Sequence, residues 1–232
     1  MVKQERAART RRALIRAAAE VIAEEGYVSA SLAVISRRAG VSNGALHFHF
    51  ANKKALARAV VEEAVRTVRQ ITGESSEGAA CALQQLVDST HRLMRRLADD
   101  AVVRAGFGLC AEPACRAGCS LRREWWRWVE DVLRRAEREG GLAEDVSVAS
   151  VTDLVVAVTV GFEALSGSDR EWLSERRITG FWKLLLPRLA ERRTLACVSP
   201  GPPVRGRPAA QREAGAGPCG SVPPRRGVAF RR

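Results

Sequence analysis

The 232-residue chain is poor in aromatic side chains, 5% in all, with a single tyrosine. It shows no apolar run of the roughly 18 to 20 residues that a bilayer span requires. Its N-terminus lacks the apolar stretch and small-residue cleavage site of a secretory leader. These absences predict a cytoplasmic protein that does not engage a membrane. Phosphate-binding loop, nucleophile elbow and paired-carboxylate motifs are missing too, so no enzyme and no cofactor are predicted. The six cysteines follow no small-secreted-domain pattern in a chain this long, and free thiols are expected. Cys110, Cys115 and Cys119 cluster, but without CxxC spacing or a nearby histidine they predict no metal site. His47, His49 and His91 form no catalytic group, and no internal repeat is present.

What the chain does have is positive charge, unevenly placed. The formal net charge is +12, and it sits at the two ends: residues 1–54 carry 10 Lys+Arg against 4 Asp+Glu, and residues 188–232 carry 10 against 2. The middle therefore holds 18 against 20, close to neutral. Basic ends favour polyanionic partners, whereas an almost neutral apolar middle suits ligand binding or self-association.

Helical periodicity begins early. Leu14, Ala17, Ala18, Val21 and Ile22 fall at i, i+3, i+4, i+7 and i+8, and Gly26 ends that stripe. Ser31 is placed to cap a second, shorter helix bearing Leu32, Ile35 and Ala39, before Gly40 supplies a left-handed turn. Ser42 then caps a third segment of about two turns, residues 42–49. A long helix follows from Asn52 to about Gln70, a loop at 73–79, and helices at about 80–98, 100–111, 120–139, 147–166 and 170–193. The Val-rich stretch 146–160 is assigned to a helix because of its length and neighbours. Seven of the nine prolines fall at or after Pro200, and this predicts disorder. The expected layout is all-α: a helix-turn-helix head over 1–54, a helical ligand-binding and dimerisation domain over 55–195, and a disordered Gly/Pro/Arg-rich tail over 196–232.

Two short helices across a tight glycine turn, braced by a longer one, form a helix-turn-helix whose second member enters the major groove. Here that reading helix is 42–49. Gly44 and Ala45 keep its start small enough for close approach to DNA, and the Asn43 amide matches an adenine edge. Lys53, Lys54, Arg37 and Arg38 are placed to contact phosphates, with a solvated face as the bland alternative for each. The run Gly40-Val41-Ser42-Asn43-Gly44-Ala45-Leu46-His47-Phe48-His49-Phe50, followed by Lys53 and Leu56, resembles the signature of TetR-family repressors. Its Phe-His-Phe ending is most similar to the gamma-butyrolactone receptor branch.

That resemblance implies a TetR-like fold and a homodimer on pseudo-palindromic double-stranded operator DNA, released by a small-molecule effector. It gives Lys53 the role of phosphate-binding lysine and sets His47 where the family has a phosphate-contacting tyrosine. Ser42, Gly44, Ala45 and His49 complete the expected DNA-binding set. Asn43 stands where the branch usually has lysine, and Val34 where an acidic residue would close a capping box with Ser31. The resemblance also places Trp125 at the ligand-contacting tryptophan, and implies that the last two helices pair across a two-fold axis. Such receptors govern antibiotic production and differentiation in filamentous actinobacteria.

Trp125, Trp126 and Trp128 crowd one helix, with 125 and 128 on one face. An indole stacks on a ligand ring and donates its N–H, which suits a lactone or aromatic metabolite. Phe107, Val155, Val158, Thr159 and Phe162 are candidate pocket walls, with ordinary core as the alternative for each. The competing reading of the whole chain is a nonspecific basic binder of nucleic acid or membrane surface, without effector response, carried by the arginine-rich tail.

Overall fold

The computed structural model describes residues 2–74, 79–116 and 120–203. Helices α1 (Val2–Ser29), α2 (Leu32–Arg38) and α3 (Asn43–His49) form a head. Helices α4 (Lys53–Glu74), α5 (Ala82–Asp99), α6 (Ala101–Ala111), α7 (Pro113–Arg116), α8 (Leu121–Arg138), α9 (Val148–Leu165), α10 (Glu175–Leu189) and α11 (Arg192–Leu195) form the body, with a 3-10 turn at Arg170–Leu173. An isolated bridge between Leu142 and Ala190 is the β feature among the described residues.

Local signals act as expected in the head. Gly26 interrupts α1 at φ 80°, ψ 162°. The Ser31 hydroxyl accepts from the Val34 amide at 3.2 Å, the Ser42 hydroxyl from the Ala45 amide at 3.2 Å, and the Asn52 side-chain Oδ1 from the Ala55 amide at 2.9 Å. Each satisfies an amide that a helix start leaves without a partner. Gly40 adopts φ +67°, where a Cβ is strained, so the turn between α2 and α3 rests on glycine. The apolar stripe of α1 is buried as a unit: Leu14, Ala18 and Val21 are fully covered, against α4 and α6.

The head joins the body through that α1–α4–α6 packing. At Gly106 an added Cβ would lie 2.4 Å from the Cβ of Ala64, so α4 and α6 meet at a separation that only glycine allows. The core continues through Leu86, Leu93, Phe107, Trp125, Val129, Val155 and Trp182, all at most 1% exposed.

Four expectations change. The helix expected over 170–193 is broken into the 3-10 turn, α10 and α11, with extended backbone at Ser174 and Ala190, and the Asp169 and Glu191 carboxylates accept from the Glu171 and Arg193 amides to start the 3-10 turn and α11 separately. The tail expected from 196 starts later: Val198 is buried, the Ser199 amide donates to Gln84 Oε1 at 2.8 Å, and His91 Nε2 donates to the Pro200 carbonyl at 3.0 Å. Polar groups of α5 hold this segment against its proline-rich composition, and the rest of the expected tail, 204–232, lies outside the described residues. Cys81, Cys115 and Cys197 are free, but Cys110 is disulfide-bonded, against the expectation of free thiols. Chain length and class gauge how much a domain needs a disulfide, whereas the approach of two thiols, which those do not reveal, decides whether the bond is geometrically allowed. Finally, α9 is long and apolar enough, by length and composition, to cross a membrane; its Thr, Ala and Gly residues dilute the run as read from sequence.

Candidate functional site

The short helix α3 is anchored from below and open above. Leu46 is fully buried and Phe50 is 5% exposed, and these two, four residues apart, pin one face into the head. Ser42, Asn43, Gly44 and His47 are exposed, Ala45 and His49 half-buried. Phe48 is 82% exposed and meets the His49 ring edge-on at 5.3 Å. An apolar ring on this open face suits a contact such as a thymine methyl. The sequence reading left Phe48 out of the site, yet its offset of two residues from both Leu46 and Phe50 puts it on the opposite face.

The basic residues around α3 divide into engaged and open. Arg38 makes a two-pronged pair with Glu24, at 2.9 and 2.8 Å, and this hydrogen bond pulls the Glu24 carboxyl below its ordinary range. Arg38 thus ties α2 to α1. Lys53 Nζ donates to the Val28 carbonyl at 2.9 Å and lies 4.6 Å from the centre of the Tyr27 ring. It completes the end of α1 from the start of α4. Arg37 and Lys54 are exposed. Asn43 Oδ1 accepts from the buried Ser36 hydroxyl at 2.9 Å, so this amide is oriented from within the head.

In the body, Trp125 is fully buried and its indole N–H donates to Thr159 Oγ1 at 3.0 Å. Thr159 in turn donates to the Val155 carbonyl at 2.9 Å. Trp125, Thr159 and Val155 therefore form one connected unit between α8 and α9. Phe107 is buried in α6, Val158 is half-buried, and Phe162 packs against the core and against Trp172, ring centroids 5.9 Å apart. Trp128 stacks on Trp125 at 5.2 Å and 19°, and it lines a groove of about 280 Å³ with Val68, Arg69, Thr72 and Glu124. Trp128 is half-buried where Trp125 is fully buried, so it is the indole of this pair that an approaching molecule meets first.

Helix α5 carries further candidates that sequence reasoning missed. Ser89 is fully buried with its hydroxyl unpartnered, and His91 is 1% exposed with Nδ1 unpartnered. Burial, partly offset by the hydrogen bond to Pro200, holds the His91 imidazole below its ordinary pKa, so it is neutral. Next to the Trp125 group, Glu163 pairs with Arg122 at 3.3 Å, and burial raises its carboxyl above the usual range. A polar stripe inside an otherwise apolar core was the available signal.

An all-helical body carrying a capped, glycine-turned helix-turn-helix with an exposed second helix defines a DNA-binding transcriptional regulator. Residues 14–60 match the family of bacterial regulatory proteins, tetR family. The chain is 31% identical over 204 residues to the A-factor receptor protein of Streptomyces griseus, across 86% of this chain and 71% of the relative. A gamma-butyrolactone receptor, an ArpA-like protein, superposes with a TM-score of 0.72 at 30% identity, over 83% of this chain and 94% of that one. CprB from Streptomyces coelicolor, solved in complex with its biological operator sequence, gives 0.69 at 30% identity over 83% and 94%. The chain belongs to the TetR family, and within it resembles the gamma-butyrolactone receptors.

Proposed function

We propose that this regulator is a homodimeric repressor that reads a pseudo-palindromic operator with α3 and leaves it when a small effector binds the body. The effector class is a gamma-butyrolactone-type signal or an antibiotic or its precursor, and the controlled genes belong to secondary metabolism. The repressor works in the cytoplasm, at the nucleoid.

The observation that carries the reading is the two-faced α3: Leu46 and Phe50 buried below, Asn43, Gly44, His47 and Phe48 exposed above. A helix held so rigidly, with its outer face unused by the fold, fits a base-reading element. Arg37, Lys53 and Lys54 supply the phosphate contacts that set register. Dimerisation is supported by α9 and α10, where Leu154, Leu165 and Leu184 are 43%, 45% and 82% exposed. A second copy across these faces covers them and presents two reading helices at once.

The effector is assigned to the Trp125–Thr159 unit and the adjoining Trp128 groove. A carbonyl or hydroxyl there competes with Thr159 for the indole N–H, and displacement of that bond between α8 and α9 gives the ligand different affinities in the two states, as release requires. Titrating the purified full-length protein onto its own promoter, with and without butyrolactones and the host's late metabolites, tests this. Sequence-specific binding lost on adding one of them is the expected result. Binding that no such compound alters would remove the effector half of the reading.

A further inference from the structure

We propose that Ser36, a residue beneath the DNA-binding surface, fixes the base preference of Asn43. The inference rests on the reading that α3 enters the major groove. Ser36 is 4% exposed in α2, and its hydroxyl lies 2.9 Å from Asn43 Oδ1 and 3.1 Å from the Ala33 carbonyl oxygen. A hydroxyl has one hydrogen to give, and the shorter contact is to Asn43.

A primary amide has an accepting end and a donating end. The adenine match predicted from sequence uses both together: Oδ1 accepts from N6 while Nδ2 donates to N7. Here Oδ1 is turned inward onto a buried hydroxyl. Asn43 is exposed, and its Nδ2 has no partner among the described residues, so the donating end faces outward. A lone donor meets two acceptors on guanine, N7 and O6, but on adenine it meets one acceptor beside the N6 donor. Asn43 therefore favours guanine over adenine at the base pair beneath it, and Ser36 is the positioning residue responsible. The reversed amide, with Nδ2 donating to Ser36 and the Ser36 hydrogen on Ala33, is the direct competitor; it favours bases that offer a donor, adenine N6 or cytosine N4.

The test uses full-length protein and operator duplexes in which each base pair of one half-site is varied. The position at which Asn43→Ala changes base preference is the one Asn43 reads. At that position the wild-type protein is expected to favour guanine over adenine by about tenfold, which is about 1.4 kcal/mol. Ser36→Ala removes little volume and suits a helix, so the variant folds. It is expected to lose this preference or shift it toward adenine, while preferences elsewhere and the salt dependence stay unchanged. In an Asn43→Ala background, Ser36→Ala should change nothing at that position. A wild-type preference for adenine or cytosine there, or a Ser36→Ala variant that keeps the guanine preference, overturns the proposal. If Asn43→Ala alters preference at no position, the groove reading itself fails and the proposal with it.

Discussion

The head and the body are built by different kinds of instruction. In the head, the deciding contacts are short in sequence: the caps at Ser31 and Ser42 each reach three residues ahead, as does Asn52 where the head meets α4, and one glycine makes the turn. In the body, the deciding contacts are distant: Trp125 to Thr159 spans 34 residues, Trp182 to Thr90 spans 92, and Ser199 to Gln84 spans 115. Side-chain caps occur in the body too, at Asp100, Ser147 and Glu191, but α5, α8 and α10 begin without one from their N-cap residues, so packing sets where those three start. A short, locally specified reading unit thus stands on a body whose arrangement rests on long-range polar contacts, the kind of contact that a bound molecule can rearrange.

The largest expected effect breaks the head alone. Leu46→Ala removes the fully buried anchor of α3, and such truncations cost about 2–5 kcal/mol. Operator binding should vanish while far-UV circular dichroism retains most of the helical signal. A variant that binds normally would mean that α3 does not depend on this anchor.

In the body, Trp125→Phe keeps a large apolar ring but removes the N–H to Thr159, and a lost hydrogen bond of this kind costs about 1 kcal/mol. DNA binding should persist and effector release should weaken, read as the shift in effector concentration needed to free the operator. Unchanged release would return Trp125 to a purely structural role. Trp125→Ala is less informative, since emptying a fully buried indole site costs about 3–5 kcal/mol.

Lys53→Ala sharpens the boundary between the regions. If Lys53 leaves the Val28 carbonyl for a phosphate on binding, the slope of log affinity against log salt should fall by about 1 for every duplex tested. An unchanged slope would leave Lys53 as the fastener of α1 only.

The smallest effect concerns acid. Burial lowers the His91 pKa in the folded chain, so the unfolded chain binds protons first as pH falls through about 6.5. Stability should be constant above that point and decline below it, because the unfolded state then holds more protons. His91→Gln should flatten this part of the stability curve in urea titrations at pH 5 to 7. An identical slope in both proteins would assign the acid sensitivity elsewhere.

This division explains what was legible in sequence. Ser31, Gly40 and Ser42 are local patterns with one reading, so α2 and α3 emerged nearly to the residue, whereas α1 begins at Val2, well before the stripe at Leu14, Ala18 and Val21, and resumes past Gly26 to Ser29. Pairing of Trp125 with Trp128 followed from helical spacing. The partners of Arg38 and Asn43 were not accessible, because Glu24 and Ser36 are opposed only once α1, α2 and α3 pack together. The same holds for the docking of Val198–Pro200, whose composition argues for disorder and whose partners on α5 lie more than a hundred residues earlier.

The central claim is that two copies of α3 read one symmetric site. A nuclease footprint of the full-length protein on its own promoter tests it most directly. The predicted result is a protected pseudo-palindrome whose half-sites are spaced by whole helical turns, about 34 Å or a multiple, with protection lost in Leu46→Ala. Protection that follows no sequence, or none at all, would contradict it.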